Sequence, residues 1–306
     1  MTSTDISKVH STVVGIDGSE NSYLATQWAA KWAKSHGTGL TIVMVQPEVM
    51  LPRKSHVWKA MLEANYNERQ KDKYLARLHK AELQAREVAP AIEVSSILLE
   101  GDVAGSLVEI TKKSETLILG KRGSGQASIF TLGGVADSVV TNAGGTVITI
   151  PHDFKERPGG PVLVGIDDDS RAKQTVRYAF EQADKLGAPL VVMHAWYAPP
   201  AASEATMVVL VDADEINEES HAFIQSTVAE LAQEYPNVKV TSKVVNANPG
   251  DALAAESKNA QLIVVSSRGR GGFTGLLLGS TSRRVVRLSS APTAVIRCHK
   301  LTKSHK

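Results

Sequence analysis

A glycine-rich stretch suited to binding phosphate lies between Gln261 and Arg297. An apolar run stops at Ser266, several glycines follow, and a helix is predicted to begin near Gly279. Glycine allows the backbone to approach an anion closely, and the first N–H groups of a helix lack partners within the helix, so both can bind phosphate oxygens. For Arg268, a phosphate contact and an ordinary solvated side chain are equally good interpretations. The candidate ligands are Ser266, Arg268, Gly269, Gly271, Gly279, Ser280 and Thr281.

The same loop occurs a second time, earlier in the chain. Gly123 matches Gly269 and Gly133 matches Gly279, and the members of each pair are 146 residues apart. One matched glycine could be accidental, but a register shared by several residues indicates an internal repeat. The candidate phosphate ligands of the earlier copy are Gly120, Arg122, Gly123, Gly125, Gly133 and Gly134.

Each copy also has an aspartate at the end of an apolar, β-branched run. Asp17 and Asp167 occupy matching positions 150 residues apart. Such a carboxylate could accept hydrogen bonds from ribose hydroxyls or an adenine amine, or hold Mg²⁺ through water. Helix capping is the alternative role, but Ser19 and Ser170 compete for it, which favours a ligand contact. The candidate binding residues of these runs are Gly15, Asp17, Gly165 and Asp167.

Alternating patterns of strand and helix predict two similar α/β domains. Each repeat has five short apolar runs separated by helical patterns, which predicts a doubly wound parallel sheet with helices on both faces. The first strand is predicted to begin at Thr12, and one helix is predicted over 102–113. The domains are predicted to span residues 1–155 and 160–306, joined by a segment that contains Pro158-Gly159-Gly160. Ligands bind such sheets outside the carboxyl ends of the strands, where the aspartates and glycine loops are both expected.

Composition argues against several classes of protein. The single cysteine, Cys298, excludes an internal disulfide and a cysteine-based metal cluster, and a packed thiol is expected. A net charge of +2 and the absence of an aromatic ladder or a large basic face argue against nucleic-acid binding. Because no apolar run is long enough for a membrane span and no signal-peptide pattern is present, a soluble, cytoplasmic protein is predicted.

The repeat length, the loop spacing and the position of the aspartate resemble those of a tandem universal stress protein of the UspA family. The family's ATP-binding pattern is G-x2-G-x9-G-[S/T] after the fourth strand, with an aspartate closing the first. The resemblance covers almost the whole chain and implies an adenine nucleotide α-hydrolase-like fold with five strands in the order 3-2-1-4-5. It also implies that the fifth strands meet across the two domains, as in a pseudo-dimer.

The resemblance implies ATP as the ligand, and no metal site is predicted beyond the Mg²⁺ that ATP can carry. It further implies that the end of the second strand lines the adenine pocket, at Val45 and Ala195, whereas the nearby His194 is expected to be packed. Two positions depart from the pattern: Ser266 replaces the first glycine, and Gly134 replaces the hydroxyl residue. Since that hydroxyl could contribute about 0.5–1.5 kcal/mol, we expect both domains to bind ATP and the second to bind it more tightly.

The leading functional prediction is an ATP-binding protein that senses or sequesters adenine nucleotide in a stress response or in growth regulation. One alternative is a weak ATP hydrolase or nucleotidyl-transfer enzyme, although the sequence has no S-G-G-x-D-S loop, no H-x-G-H pair and no G-x-x-x-x-G-K-[ST] motif. The other is a nucleotide-independent scaffold that acts through its helices. The charged helices predicted over Trp58–Val88 and Asp212–Tyr235 are each expected to cover one sheet face and to present a solvated outer face, with a partner-docking surface as the alternative. Exposed terminal strands would allow two chains to form a homodimer.

Overall fold

A computed structural model describes residues 2–3, 9–47, 56–123, 132–167, 171–197, 213–268 and 278–298. The chain divides into two compact units, Met1–His152 and Asp153–Lys306. Each unit has its own parallel strands with α-helices between them. Both units are therefore α/β domains, as the alternating pattern predicts.

The first domain has the strand order that the family resemblance implied. Its strands are β1 (Thr2–Ser3), β2 (Thr12–Ile16), β3 (Leu40–Gln46), β4 (Val94–Glu100), β5 (Thr116–Gly120) and β6 (Thr146–Ile150). Its helices are α1 (Glu20–His36), α2 (His56–Val88), α3 (Val103–Ile110) and α4 (Gly134–Asn142). Parallel pairing gives the order β4-β3-β2-β5-β6, which is 3-2-1-4-5 when counting starts at β2. The short strand β1 pairs with β4 at the edge of the sheet. It was not predicted, because the first strand was expected to begin at Thr12.

The second domain repeats this arrangement. Its strands are β7 (Val162–Ile166), β8 (Leu190–Trp196), β9 (Val240–Asn246), β10 (Leu262–Ser266) and β11 (Thr293–Ile296). Its helices are α5 (Ala172–Leu186), α6 (Ala213–Glu234), α7 (Pro249–Glu256) and α8 (Ser280–Leu288). The order β9-β8-β7-β10-β11 is again 3-2-1-4-5, and every pair is parallel.

The central strands are buried on both faces. Val13 and Val14 of β2, and Val162 and Val164 of β7, have no exposed surface. In the first domain α1 packs on α2 and α3 packs on α4; in the second, α5 packs on α6 and α7 packs on α8. Because helices cover the faces of such a sheet, the ends of its strands are where a ligand can reach the backbone.

The helix ends follow local capping chemistry. Ser19 caps α1, as predicted, because its side chain accepts a hydrogen bond from Ser22 N at 3.2 Å. In the second domain Ser170 lies outside the described residues, and the N-cap of α5 is Arg171, which makes no side-chain cap bond. Helix α3 is shorter than the predicted 102–113, since Asp102 is its N-cap and Thr111 its C-cap.

The long helices α2 and α6 agree with the predicted ranges to within a few residues. Helix α2 covers the sheet with a stripe of small and apolar side chains, including Leu78, Ala81 and Ala85, which are buried. Across the described ranges, no helix combines the length and apolar character needed to cross a membrane.

Candidate functional site

A cavity of about 650 Å³ opens at the carboxyl ends of the first domain's strands. Its walls come from the ends of β2, β3 and β5, from the start of α4 and from one face of α2. The predicted binding residues that line it are Gly15, Asp17, Val45, Gly120, Arg122, Gly123, Gly133 and Gly134. Gly125, also predicted, lies outside the described residues. The structure thus brings every described residue of the first-domain prediction to one cavity.

Main-chain hydrogen bonds build the end of the cavity next to α4. Lys121 N donates to Ile150 O at 2.8 Å, and Gly133 N donates to Lys121 O at 3.0 Å. Gly133 is the N-cap of α4 and, being glycine, supplies no side-chain acceptor. The first residues of α4 line the cavity, so their N–H groups are suited to an anionic ligand there.

Asp17 borders both the cavity and the glycine loop. A Cβ built on Gly123 would lie 2.5 Å from Asp17 Oδ2, so any larger residue at this loop position would push the carboxylate away from the loop. The other oxygen, Oδ1, accepts a hydrogen bond from Ser19 N at 3.0 Å. Ser19 caps α1, and Asp17 lines the cavity beside it.

Asn21 braces the loop and was not predicted from the sequence. This buried side chain accepts a hydrogen bond from Arg122 N at 3.0 Å and donates one to Ile150 O at 3.2 Å. It therefore ties the start of α1 to the ends of β5 and β6. No residue pattern marks this role, because a polar residue in the first turn of a helix usually faces solvent.

Helix α2 supplies Tyr74 and Arg77 to the cavity wall. Arg77 Nη1 donates to Asp17 O at 3.2 Å, and the guanidinium lies 5.8 Å from the centre of the Tyr74 ring. Neither residue was among the predicted binding residues, and the exposed position of Arg77 agrees with the solvated outer face expected of this helix. The signal was available in part, because Tyr74 and Leu78 are one turn apart and share a helix face.

The charges at the cavity are a carboxylate and two guanidinium groups. Burial raises the pKa of Tyr23; nearby Arg77 opposes that rise and Asp17 adds to it, so Tyr23 is neutral near pH 7. Among the described residues, Arg122 Nε is buried without a hydrogen-bond partner, and Arg122 lines the cavity. A guanidinium in this position is suited to pairing with phosphate.

A pair of glycine substitutions tests whether Arg77 is fixed in place. Gly18 and Gly37 both have positive φ, at 84° and 63°, but an added Cβ meets Arg77 Cδ at 2.5 Å only at Gly18; at Gly37 the space is open. We expect Gly37→Ala to lower the free energy of unfolding by about 1 kcal/mol through backbone strain alone. Gly18→Ala should lower it by about 1 kcal/mol more, because Arg77 must move and lose its hydrogen bond to Asp17 O. Chemical denaturation measures both, and equal losses would contradict a fixed Arg77.

The second domain places its predicted residues at the corresponding edge. They occupy the ends of β7, β8 and β10 and the start of α8: Gly165, Asp167, Ala195, Ser266, Arg268, Gly279, Ser280 and Thr281. Gly269 and Gly271 lie outside the described residues. The hydroxyl of Ser266 donates to Arg268 O at 2.6 Å, and Ser282 Oγ donates to Ser266 O at 2.6 Å. Ser266, which replaces a glycine of the family pattern, therefore contributes a side-chain bond within the turn.

The sequence profile of the Universal stress protein family matches residues 9–151 and 160–297. The chain belongs to the universal stress protein family. The matched ranges carry both glycine loops and both strand-end aspartates, and they fall on the two α/β units.

Curated universal stress proteins resemble the chain over nearly its full length. One from Mycobacterium bovis is 31% identical over 298 residues, which cover 93% of this chain and 94% of the relative. Another, from Mycobacterium tuberculosis, is 32% identical over 302 residues, covering 95% of this chain and 98% of the relative. Among solved structures, a universal stress protein from Archaeoglobus fulgidus shares the fold, with a TM-score of 0.66, 22% identity, and coverage of 94% of this chain and 96% of that chain.

The two universal stress protein domains differ in the side chain that the long helix, α2 or α6, places near the ends of the first two strands of the 3-2-1-4-5 order. The position of Arg77 in α2 is matched 146 residues later by Phe223 in α6. Phe223 meets the edge of His194, with ring centres 5.9 Å apart, and His194 Nδ1 lies 3.2 Å from Ile166 O. His194 is buried, which confirms the expectation of a packed histidine. At this position the second domain has an aromatic contact between Phe223 and His194, whereas the first domain has the charged side chain of Arg77.

Within the residues that the structure describes, no group of three or more His, Cys, Asp or Glu side chains is placed to hold a metal ion. Cys298 is half-buried, and its sulfur lies 3.6 Å from Thr175 Oγ1.

Proposed function

We propose that this universal stress protein binds an adenine nucleotide, ATP in the first instance, and acts as a sensor or store of that nucleotide in a stress response. The observation that carries the proposal is the first-domain cavity, which collects the residues of the glycine loop and the strand-end aspartate. The matching edge of the second domain is proposed as a second site.

The cavity has the dimensions and polarity that a nucleotide needs. Its volume of about 650 Å³ lies inside the range of about 300–1,000 Å³ that is typical of small-molecule sites. One part is apolar, lined by Val43, Val45, Leu107 and Leu119, and is suited to a base. The part next to Gly133 offers backbone N–H groups and is suited to phosphate.

The proposed orientation follows from this polarity. The adenine ring lies beside Val45, the ribose hydroxyls donate to Asp17, and the phosphates lie at Gly123, Gly133 and Arg122. In the second domain Ala195, Asp167 and the start of α8 take the corresponding places. A carboxylate that accepts from ribose and a helix start that binds phosphate are common in nucleotide sites of α/β sheets.

Binding rather than catalysis is the primary role that we propose. The site offers contacts for holding a nucleotide, and any Mg²⁺ would arrive with the ATP. A cytoplasmic location belongs to the same proposal, because that is where ATP is abundant. The pairing of the two domains through their fifth strands remains a prediction from the sequence. The association of two chains as a homodimer is likewise a prediction from the sequence.

Purifying the full-length protein from cells and identifying the nucleotide it carries by mass spectrometry tests the proposal. ATP in the purified protein, and saturable rebinding of ATP after the nucleotide is removed, are the expected results. Stoichiometric AMP or ADP would favour the enzyme alternative. Protein that carries no nucleotide and gives no heat signal with added ATP would overturn the proposal and favour the scaffold alternative.

A further inference from the structure

Helix α2 carries a guanidinium group to the part of the first-domain cavity where β2 ends. Arg77 lines the cavity, and its Nη1 donates to Asp17 O at 3.2 Å. Its side chain lies across the turn after β2, because a Cβ built on Gly18 would be 2.5 Å from Arg77 Cδ and 2.8 Å from Nε. Among the described residues, the bond to Asp17 O is the one hydrogen bond that this guanidinium makes. Its other N–H groups are therefore available to a ligand.

Lys80, nearly one turn further along α2, adds a second positive charge beside Arg77. The Lys80 ammonium lies 4.2 Å from the centre of the Tyr23 ring, a cation–π contact that joins α2 to α1. Both basic side chains are exposed. The carboxylate of Asp17 is also at this edge, and its Oδ1 accepts from Ser19 N at 3.0 Å. An anionic group held beside Asp17 would thus be attracted by two cations of α2.

The sequence of the second domain has neither part of this arrangement. Asp168 takes the place of Gly18, 150 residues later, and Phe223 takes the place of Arg77, 146 residues later. The glycine beside which the arginine packs and the arginine itself are therefore both confined to the first domain. The glycine loop and the strand-end aspartate, in contrast, occur in both domains. Arg77 thus points to a property of the first site's ligand that the shared pattern does not cover.

We propose that the first-domain site binds adenine nucleotides that carry a second phosphate on the ribose, at the 2′ or the 3′ oxygen, and that Arg77 selects them. With the ribose hydroxyls at Asp17, a phosphate on one of them lies within reach of the guanidinium, while the carboxylate accepts from the other. An arginine near the ribose accommodates a 2′-phosphate in other nucleotide sites of α/β sheets. This inference rests on the proposed nucleotide function and narrows the ligand class of that site.

The test uses the full-length chain with Gly279→Asp, which places a carboxylate at the start of α8 so that the remaining binding reports on the first domain. AMP and the adenosine 2′,5′- and 3′,5′-bisphosphates are titrated into nucleotide-free protein by calorimetry. Because the added phosphate gains a charge-assisted contact, one of the bisphosphates should bind about tenfold more tightly than AMP. Arg77→Gln, which can still donate to Asp17 O, should reduce that advantage to about twofold or less. Arg77→Lys keeps the positive charge and should retain an advantage of about threefold or more.

Lys71→Gln is the matched control, because it removes a positive charge from an exposed position on a different face of α2. It should change the advantage of the bisphosphate by less than about twofold, since exposed charges are screened. The second domain, measured in the full-length chain with Gly133→Asp, is a further control. With Phe223 at the matching position, it should bind the bisphosphates within about twofold of AMP.

The two proposals fail in different ways. Equal affinities for AMP and both bisphosphates at the first site would overturn the inference and leave the nucleotide function in place. An equal loss of the advantage in Arg77→Gln and Lys71→Gln, or an equal advantage in the second domain, would overturn the selecting role of Arg77. If neither AMP nor ATP nor a bisphosphate binds the first domain, the proposed nucleotide function of that domain fails as well.

Discussion

Replacing Gly133 by aspartate is expected to stabilise the nucleotide-free protein and to remove nucleotide from the first domain. Gly133 has φ −61° and ψ 144°, a conformation that any residue adopts, and an added Cβ would make only ordinary contacts, the nearest at 3.6 Å. An aspartate here would cap α4 and place a negative charge at the positive end of the helix. We expect the free energy of unfolding to rise by about 0.5–1 kcal/mol.

The carboxylate introduced by Gly133→Asp accepts hydrogen bonds from the N–H groups at the start of α4, which are then not available to phosphate. Its negative charge also repels the phosphate groups. Because several charge-assisted hydrogen bonds are lost together, ATP affinity at the first site should fall by about 100-fold or more. Chemical denaturation and calorimetric titration of nucleotide-free protein measure the two effects. Gly279→Asp is the counterpart in the second domain and should leave the first site intact. If Gly133→Asp binds ATP as the wild type does, the helix start does not hold the phosphates.

Replacing Asn21 by leucine should cost both stability and nucleotide affinity. Leucine has a similar size but leaves Arg122 N without its acceptor, whereas Ile150 O keeps the hydrogen bond from Lys121 N at 2.8 Å. One buried donor without a partner costs about 1–3 kcal/mol, so we expect a loss of about 2 kcal/mol in the free energy of unfolding. Because Arg122 and the loop then lose their fixed position, ATP affinity should fall about tenfold.

The matched control is Asn142→Leu, since the Asn142 side chain donates to Ser138 O at 2.8 Å on an exposed helix end. Surface changes of this kind usually alter stability by less than about 0.5 kcal/mol. A similar loss in both variants would mean that Asn21 is an ordinary helix residue. A stability loss in Asn21→Leu with unchanged ATP affinity would show that the brace serves the fold alone.

The sequence predicts those parts of the site that depend on strand ends and spacing. Asp17 and Gly120 end apolar runs, and parallel strands bring their carboxyl ends to one edge, so their meeting follows from the pattern. The order 3-2-1-4-5 came from the family resemblance, because periodicity alone does not order the strands. The short edge strand β1 escapes prediction since it pairs through two residues and has no side-chain pattern.

The remaining parts of the site depend on how each helix is rotated against the sheet. Asn21, Ser22 and Thr26 are polar yet buried on α1. They look like solvated residues in the sequence, but Ser22 Oγ donates to Ser19 O at 2.8 Å and Thr26 Oγ1 donates to Ser22 O at 2.9 Å. Polar groups satisfied within their own helix can be buried at little cost. Arg77 is a similar case. It lines the cavity because of the way α2 is rotated about its own axis against the sheet, and the sequence alone does not give that rotation.

A crystal structure of the full-length protein grown with ATP tests the central claim most directly. We predict density for the nucleotide in the first-domain cavity, with the base beside Val45, the ribose within hydrogen-bond distance of Asp17 and the phosphates at the start of α4. Nucleotide bound elsewhere on the protein, or an empty first-domain cavity in crystals grown at saturating ATP, would contradict this account.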